Sequence, residues 1–191
     1  MSNKDLKNND VTLEVLSAVE ADSRVTQRSL SRELGIALGL TNSYLKKCID
    51  KGLVKIKQVP ANRYSYYLTP RGFSEKSRLT AEYFKTSFSF YRAAKRDLTE
   101  IFKNCNDKKT NNIVLSDNSE LAEIAIIISF NINININIVG IIGSTSNING
   151  IPVEENVENF KSFDAVIITN IINSKLRFKE INILIPNKKI I

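Results

Sequence analysis

Thr69 and Pro70 set up a helix start, the first residue as a cap and the second as a first-turn proline, and nothing after them breaks the helix until about Asn104. A helix of that length, roughly 50 Å by its rise, is too long to lie inside one small core. It divides the 191 residues into a segment before it (1–69), a linking helix (70–108) and a segment after it (109–191). The flanks differ in charge. Up to Thr110 there are 21 basic and 12 acidic residues, and beyond it 6 and 8. Such a balance, +9 against −2, is expected where one module meets a polyanion and the other does not.

Before the linking helix, the periodicity predicts three helices and a hairpin. Leu13, Val15, Leu16 and Val19 fall on one helical stripe, with Asp10 placed to cap its start. Thr26 caps a second helix, in which Leu30 and Leu34 lie on the buried side, and Gly35 lets the chain turn sharply. A third helix runs from about Leu38 to Lys51 and ends at Gly52. In it Thr41, Leu45, Cys48 and Ile49 face inward, while Gly39, Asn42, Ser43 and Lys46 face outward. The segment VKIKQV, Val54 to Val59, alternates apolar and basic residues, and YSYYL, Tyr64 to Leu68, is rich in strand formers. Pro60, Ala61, Asn62 and Arg63 make the turn between them.

Three helices followed by a basic hairpin make a winged helix-turn-helix, in which the third helix reads base edges and the hairpin lies along phosphates. The residues expected to meet double-stranded DNA are Thr26, Gln27, Arg28, Gly39, Asn42, Ser43, Lys46, Lys47, Lys55, Lys57, Asn62 and Arg63. The stretch from Leu30 to Arg92, and LTPRGFSEKSRLTAEY within it most of all, resembles the MarR-type, exopolysaccharide-associated transcriptional regulators. The resemblance implies a DNA-binding regulator with a long following helix and an appended α/β domain. Ala37 stands where many related recognition helices have a Ser or Thr cap, and Leu40 where a polar reader is common.

Along the linking helix Phe84, Tyr91, Leu98 and Cys105 recur every seven residues, and Ser87, Ala94 and Ile101 fill the alternate positions. That seam suits a helix pairing with its counterpart in a homodimer. The other reading is a stripe buried against its own domain.

From Asn112 short apolar strands alternate with helices: NIVL, SELAEIAIIISF, INIVGII, DAVIITN, a helical stretch to Ile181, and NILIP. The expected fold class is therefore α/β and multi-domain, ending in a Rossmann-like parallel sheet. In such sheets ligands bind where strand ends meet helix amides. This points to Ser116, Asp117, Asn118 and Ser119 after the first strand, and to Gly143 and Ser144 after the next. No G-x-G-x-x-G follows the first strand, and Asp117 would repel a close phosphate. The phrase VGIIGSTSNINGIPV, Val139 to Val153, resembles a stretch of Rossmann-like sugar-nucleotide-binding domains in which a strand leads to a polar loop and a Gly-x-Pro-Val turn. Three readings stay open for this half: a sensor of a nucleotide or nucleotide-sugar effector, a ligand-free dimerisation or protein-interaction module, and a nucleotide-dependent enzyme.

Several chemistries find no residues to carry them. There is no histidine, and Cys48 and Cys105 lack metal-ligand spacing, so no catalytic set, metal or cofactor is expected. The leader MSNKDLKNND has no apolar core and no apolar run reaches membrane length, so a cytoplasmic protein without a membrane partner is expected. The repeat NINININI, Asn131 to Ile138, reads as nucleotide bias rather than a functional tract.

Overall fold

No glycine or proline interrupts the chain between Asn3 and Ala21, and helix α1 occupies all of Asn3–Ala21. Asp10, expected as its cap, lies within it for that reason. The computed structural model describes residues 3–60, 63–144, 147–148 and 150–191, which divide into two units, Met1–Phe88 and Ser89–Ile191. In the first unit α1 is followed by α2 (Gln27–Glu33), α3 (Leu38–Asp50), and the antiparallel strands β1 (Val54–Val59) and β2 (Arg63–Leu68).

Side chains of all these elements close one core. Leu16, Leu30 and Leu45 are fully buried, with Val15, Val19, Cys48, Val54, Tyr66 and Leu79 around them. Burying a leucine of this kind contributes about 1.5–3 kcal/mol. Gly52, at φ +68°, ends α3 in a conformation that costs other residues strain, and it delivers Leu53 to the core.

Helix α4 (Pro70–Asp107) begins in the first unit and ends in the second. Thr69 caps it as expected: its Oγ1 accepts from the Gly72 amide at 3.0 Å and donates to the Gly52 carbonyl at 2.6 Å. A Cβ at position 72 would run into the Leu53 carbonyl oxygen, so this first turn packs only as glycine. The expected heptad seam divides. From Tyr91 onward it is consumed by the second unit's own core, where Ala94, Leu98 and Cys105 are buried and Tyr91 and Ile101 pack against them. Phe84, by contrast, is 52% exposed. An α/β sheet needs an apolar stripe to cover each face, and this one takes the C-terminal half of α4.

The second unit contains β3 (Asn112–Leu115), α5 (Glu120–Asn131), β4 (Asn137–Ile142), β5 (Asn147–Ile148), β6 (Ile151–Glu154), β7 (Ala165–Ile167) and α6 (Ser174–Leu184). The sheet order is β5-β6-β4-β3-β7, in which β6, β4, β3 and β7 are parallel and β5 is antiparallel to β6. One face packs on α5 and α4 through Phe102, Ile113, Leu115, Ala125, Ile126 and Ile141. The other packs on the turn at Val157 and on Ile181 of α6, through Val114, Ile142 and Val166. The Phe160 ring lies where a Cβ of residue 140 would be, so Gly140 is what lets it cover β4.

Two expectations change. NILIP is not a strand, because Asn182, Ile183 and Leu184 complete α6. The free edge of β7 is met instead by the chain end: the Ile191 amide donates to Val166 and accepts, through its carbonyl, from Ile168, both at 2.9 Å. The second change is β6, where the reading above had only a loop and a turn.

Candidate nucleic-acid interface

The N-terminus of α2 is fixed by a reciprocal cap. Thr26 Oγ1 accepts from the Ser29 amide at 3.0 Å, and the Thr26 amide donates to Ser29 Oγ at 2.8 Å. With its start so anchored, Thr26, Gln27 and Arg28 stand exposed at one end of the helix. Gly35, at φ +61°, makes the turn into α3, and Ser31 Oγ closes it by donating to the Ile36 carbonyl at 2.7 Å. Ala37 precedes α3 and provides no side-chain cap.

On α3 the buried line is Thr41, Leu45 and Cys48. Opposite it, three and four residues apart, run Leu40, Ser43 and Lys47, flanked by Gly39 and Lys46, all exposed. Asn42 is not on that outer line. It is half-buried, and its side-chain oxygen is buried without a hydrogen-bond partner. Burial pushes the Cys48 thiol up to about 11, against a smaller opposite effect of Lys51.

In the hairpin Lys55 pairs in register with Tyr67 and Lys57 with Ser65, so the two lysines project from one face of β1 at period two, both exposed. Tyr64 and Tyr67 are also exposed. Asn62 and the side chain of Arg63 lie outside the described residues. The Tyr66 amide donates to the Ser23 carbonyl at 2.8 Å, tying the segment before α2 to β2. Tyr66 itself is buried, which pushes its hydroxyl's pKa up, while a hydrogen bond with Gln27 opposes the shift. Between that segment and β2 opens a cleft of about 880 Å³, edged by Arg24, Arg28, Pro60, Tyr64 and Tyr67.

Charge on this side is uncompensated. Among the described residues Arg28, Lys46, Lys55 and Lys57 form no ion pair, Arg24 meets only Asp22 at 3.5 Å with both side chains exposed, and Lys47 lies 5.2 Å over the Tyr44 ring. Open cations beside an exposed helix face can hold a polyanion by releasing its counterions. Arg24, Tyr64 and Tyr67 edge the cleft with Arg28 although the residue pattern did not single them out. Arg24 and Tyr64 are brought to it by the Ser23–Tyr66 bond, a pairing that no local spacing reveals.

The strand-end residues of the second unit are arranged differently. Ser116 is fully buried, and its Oγ accepts from the Thr169 amide at 2.8 Å. Thr169 Oγ1 donates to Asp117 Oδ1 at 2.7 Å and accepts from the Asp117 amide at 3.2 Å. Ser119 caps α5 through the Ala122 amide and donates to the Thr169 carbonyl at 2.9 Å. Across the top, Arg177 donates twice to the Ser116 carbonyl, from Nε at 2.8 Å and Nη2 at 2.6 Å. Asn118 and Ser144 are exposed. Gly143 stands beside Asn118, whose Cβ is 3.7 Å from where a Cβ on Gly143 would be, so the two expected loops do adjoin. No group of three or more His, Cys, Asp or Glu able to hold a metal occurs among the described residues, and no described helix is long and apolar enough to cross a membrane.

The chain is similar to known proteins over part of its length. No curated protein matches it in sequence. Its fold is similar to parts of several solved regulators. The PcaV transcriptional regulator from Streptomyces coelicolor is 19% identical, with 51% of this chain and 74% of that one covered and a TM-score of 0.42. A MarR transcriptional regulator from Methanosarcina mazei Go1 is 24% identical, with 49% and 75% covered and a TM-score of 0.35. MepR from S. aureus, in a complex with DNA, is 18% identical, with 55% and 78% covered and a TM-score of 0.38. Residues 8–55, from α1 into β1, match the family described as winged helix-turn-helix DNA-binding, and the first unit carries a domain of that kind.

Proposed function

We propose that the chain is a MarR-type regulator of transcription that binds duplex DNA as a homodimer, with α3 in the major groove and the hairpin along the phosphates. On the resemblance of Leu30 to Arg92 we group it with the exopolysaccharide-associated regulators, and as a DNA-bound factor it works in the cytoplasm. The observation that carries the reading is the open face of α3, Leu40, Ser43 and Lys47, in a unit whose exposed cations Arg28, Lys46, Lys55 and Lys57 form no ion pair among the described residues. Exposed Tyr83, Phe84 and Phe88 support pairing of α4 with a second copy. Their rings form a ladder with centroids 6.0 and 6.3 Å apart.

To test DNA binding, the full chain is used to select duplexes from a random-sequence pool, and the winner is titrated with salt. The reading expects enrichment of one sequence class and an affinity that falls with salt at a slope of roughly −3 or steeper. A pool that stays random, or binding indifferent to salt, contradicts it.

The second unit we take as a Rossmann-like sensor of a nucleotide or nucleotide sugar, held at Ser116 to Ser119 with Gly143 and Ser144. Support comes from strand order: the direction of winding reverses between β3 and β7, the place where open α/β sheets bind ligands. One observation favours a second reading, a ligand-free interaction module. The crevice at that reversal is filled by Thr169 and Arg177, which already bond Ser116 and Asp117. A thermal-shift screen of nucleotides and nucleotide sugars separates the two. A ligand at a hundred times its dissociation constant stabilises by about 2.7 kcal/mol, and no shift with any compound leaves the module.

A further inference from the structure

We propose that Leu40 reads the 5-methyl group of thymine in the major groove, and that the preferred duplex therefore carries a required thymine opposite the first turn of α3. The inference rests on the DNA-binding reading and names what the open helix face selects. A single exposed leucine is ordinary on a protein surface. This one is 48% exposed, on a helix whose neighbouring exposed side chains are Ser43, Lys46 and Lys47. It also sits in the first turn, the end of a helix-turn-helix second helix that meets base edges.

Gly39 beside it has nothing within 4 Å of where a Cβ would lie, so the backbone there is bare and the helix can approach the groove floor closely. Leu38, 40% exposed, widens the apolar patch on the other side. A leucine offers neither donor nor acceptor. In the major groove the apolar feature that marks a base is the thymine methyl, and contact with it is how an apolar side chain discriminates.

Asn42 supports the same division of labour. Reading adenine takes both halves of a side-chain amide. Here the amide oxygen is buried, whereas Leu40 is exposed. An A·T pair at this position is read from its thymine side. Exposed Lys46 and Lys47 on the same helix supply the attraction that brings a duplex, rather than an apolar partner, to it.

The test uses the full chain and the duplex it selects from a random pool. Each thymine is replaced singly by deoxyuridine, which removes the methyl and nothing else. For the parent chain, one or two positions should lose about fourfold in affinity, the worth of one buried methyl. With Leu40→Ala those positions should bind thymine and uracil alike, within about 1.5-fold, while binding remains salt-dependent. With Leu40→Gln the preferred base there should change from thymine to adenine. The inference is overturned if no uracil substitution weakens the parent, or if Leu40→Ala discriminates as the parent does. A chain that selects no duplex at all removes the DNA-binding reading and this inference with it, an outcome distinct from duplex binding without methyl discrimination.

Discussion

In the first unit Lys46, Lys55 and Lys57 are exposed and form no ion pair among the described residues, whereas in the second unit Arg177 folds back over the strand ends and donates twice to a backbone carbonyl. The hydroxyls of the α3 face and of the strand ends differ in the same way. Ser43 is exposed on an outer face, while Ser116 and Thr169 are fully buried and bonded to each other. A buried polar group must find a partner, and those at the strand ends have found theirs within the chain. An exposed cation gains little from a neighbouring carboxylate, so leaving it open sacrifices little stability and keeps it available to a polyanion. The contrast teaches that residue type alone does not mark a surface for DNA. What marks it is whether the fold has already used the group.

Substitutions can break or sharpen this contrast. The largest effect is expected from Arg177→Ala, which strips the Ser116 carbonyl of two charged donors and should lower unfolding free energy by about 2–3 kcal/mol in a urea titration. Affinity for the selected duplex should stay within about twofold of the parent. Lost DNA binding with unchanged stability would invert the contrast.

Lys55→Gln with Lys57→Gln should do the opposite. Affinity should drop about tenfold on every sequence and the salt slope flatten by about two, with stability within about 0.5 kcal/mol of the parent. A smaller effect is expected at a hydroxyl of the first unit that the fold does use, that of Thr26. Thr26→Ala removes the cap of α2 and should cost about 1 kcal/mol, and Thr26→Ser should restore most of it.

The smallest effect concerns pH. The folded state holds the Cys48 thiol protonated up to about 11, whereas the unfolded chain releases that proton near 9.0. The native state therefore binds more protons through that window. The stabilising contribution is complete below pH 9 and lost as pH rises toward 11. Cys48→Ala, though weaker throughout for its lost packing, should show a shallower decline there than the parent.

Where local chemistry decides structure, the sequence was a good guide. The caps at Thr26 and Thr69, the turns at Gly35 and Gly52, and the alternation in Val54–Val59 all act within a few residues, and each element stands where they put it. Misreadings arose where a distant partner decides. Asn182 to Leu184 are apolar enough for a strand, and only the docking of Ile190 and Ile191 on β7 shows that the edge was taken. β6 is four residues long and contains Pro152, signals that read as a turn until β4 pairs with it.

The α3 face was off by a flank. At about 100° per residue, Asn42 stands only about 60° from Leu45 and so falls on the shoulder of the buried side. Arg177 lies 61 residues from Ser116, so no spacing could announce that it covers the predicted ligand loop.

The central claim, that α3 of the first unit lies against DNA and the strand ends of the second do not, is tested most directly by tethered cleavage. Both native cysteines are buried with thiols pushed up, so a cysteine placed at an exposed position is the one that takes a label. An iron chelate that cuts nearby DNA is attached through Ser43→Cys in one chain and Asn118→Cys in another, and each is mixed with the selected duplex. The account predicts cuts at a few adjacent base pairs from position 43 and none above background from position 118. Cutting from position 118 with none from position 43 would contradict it.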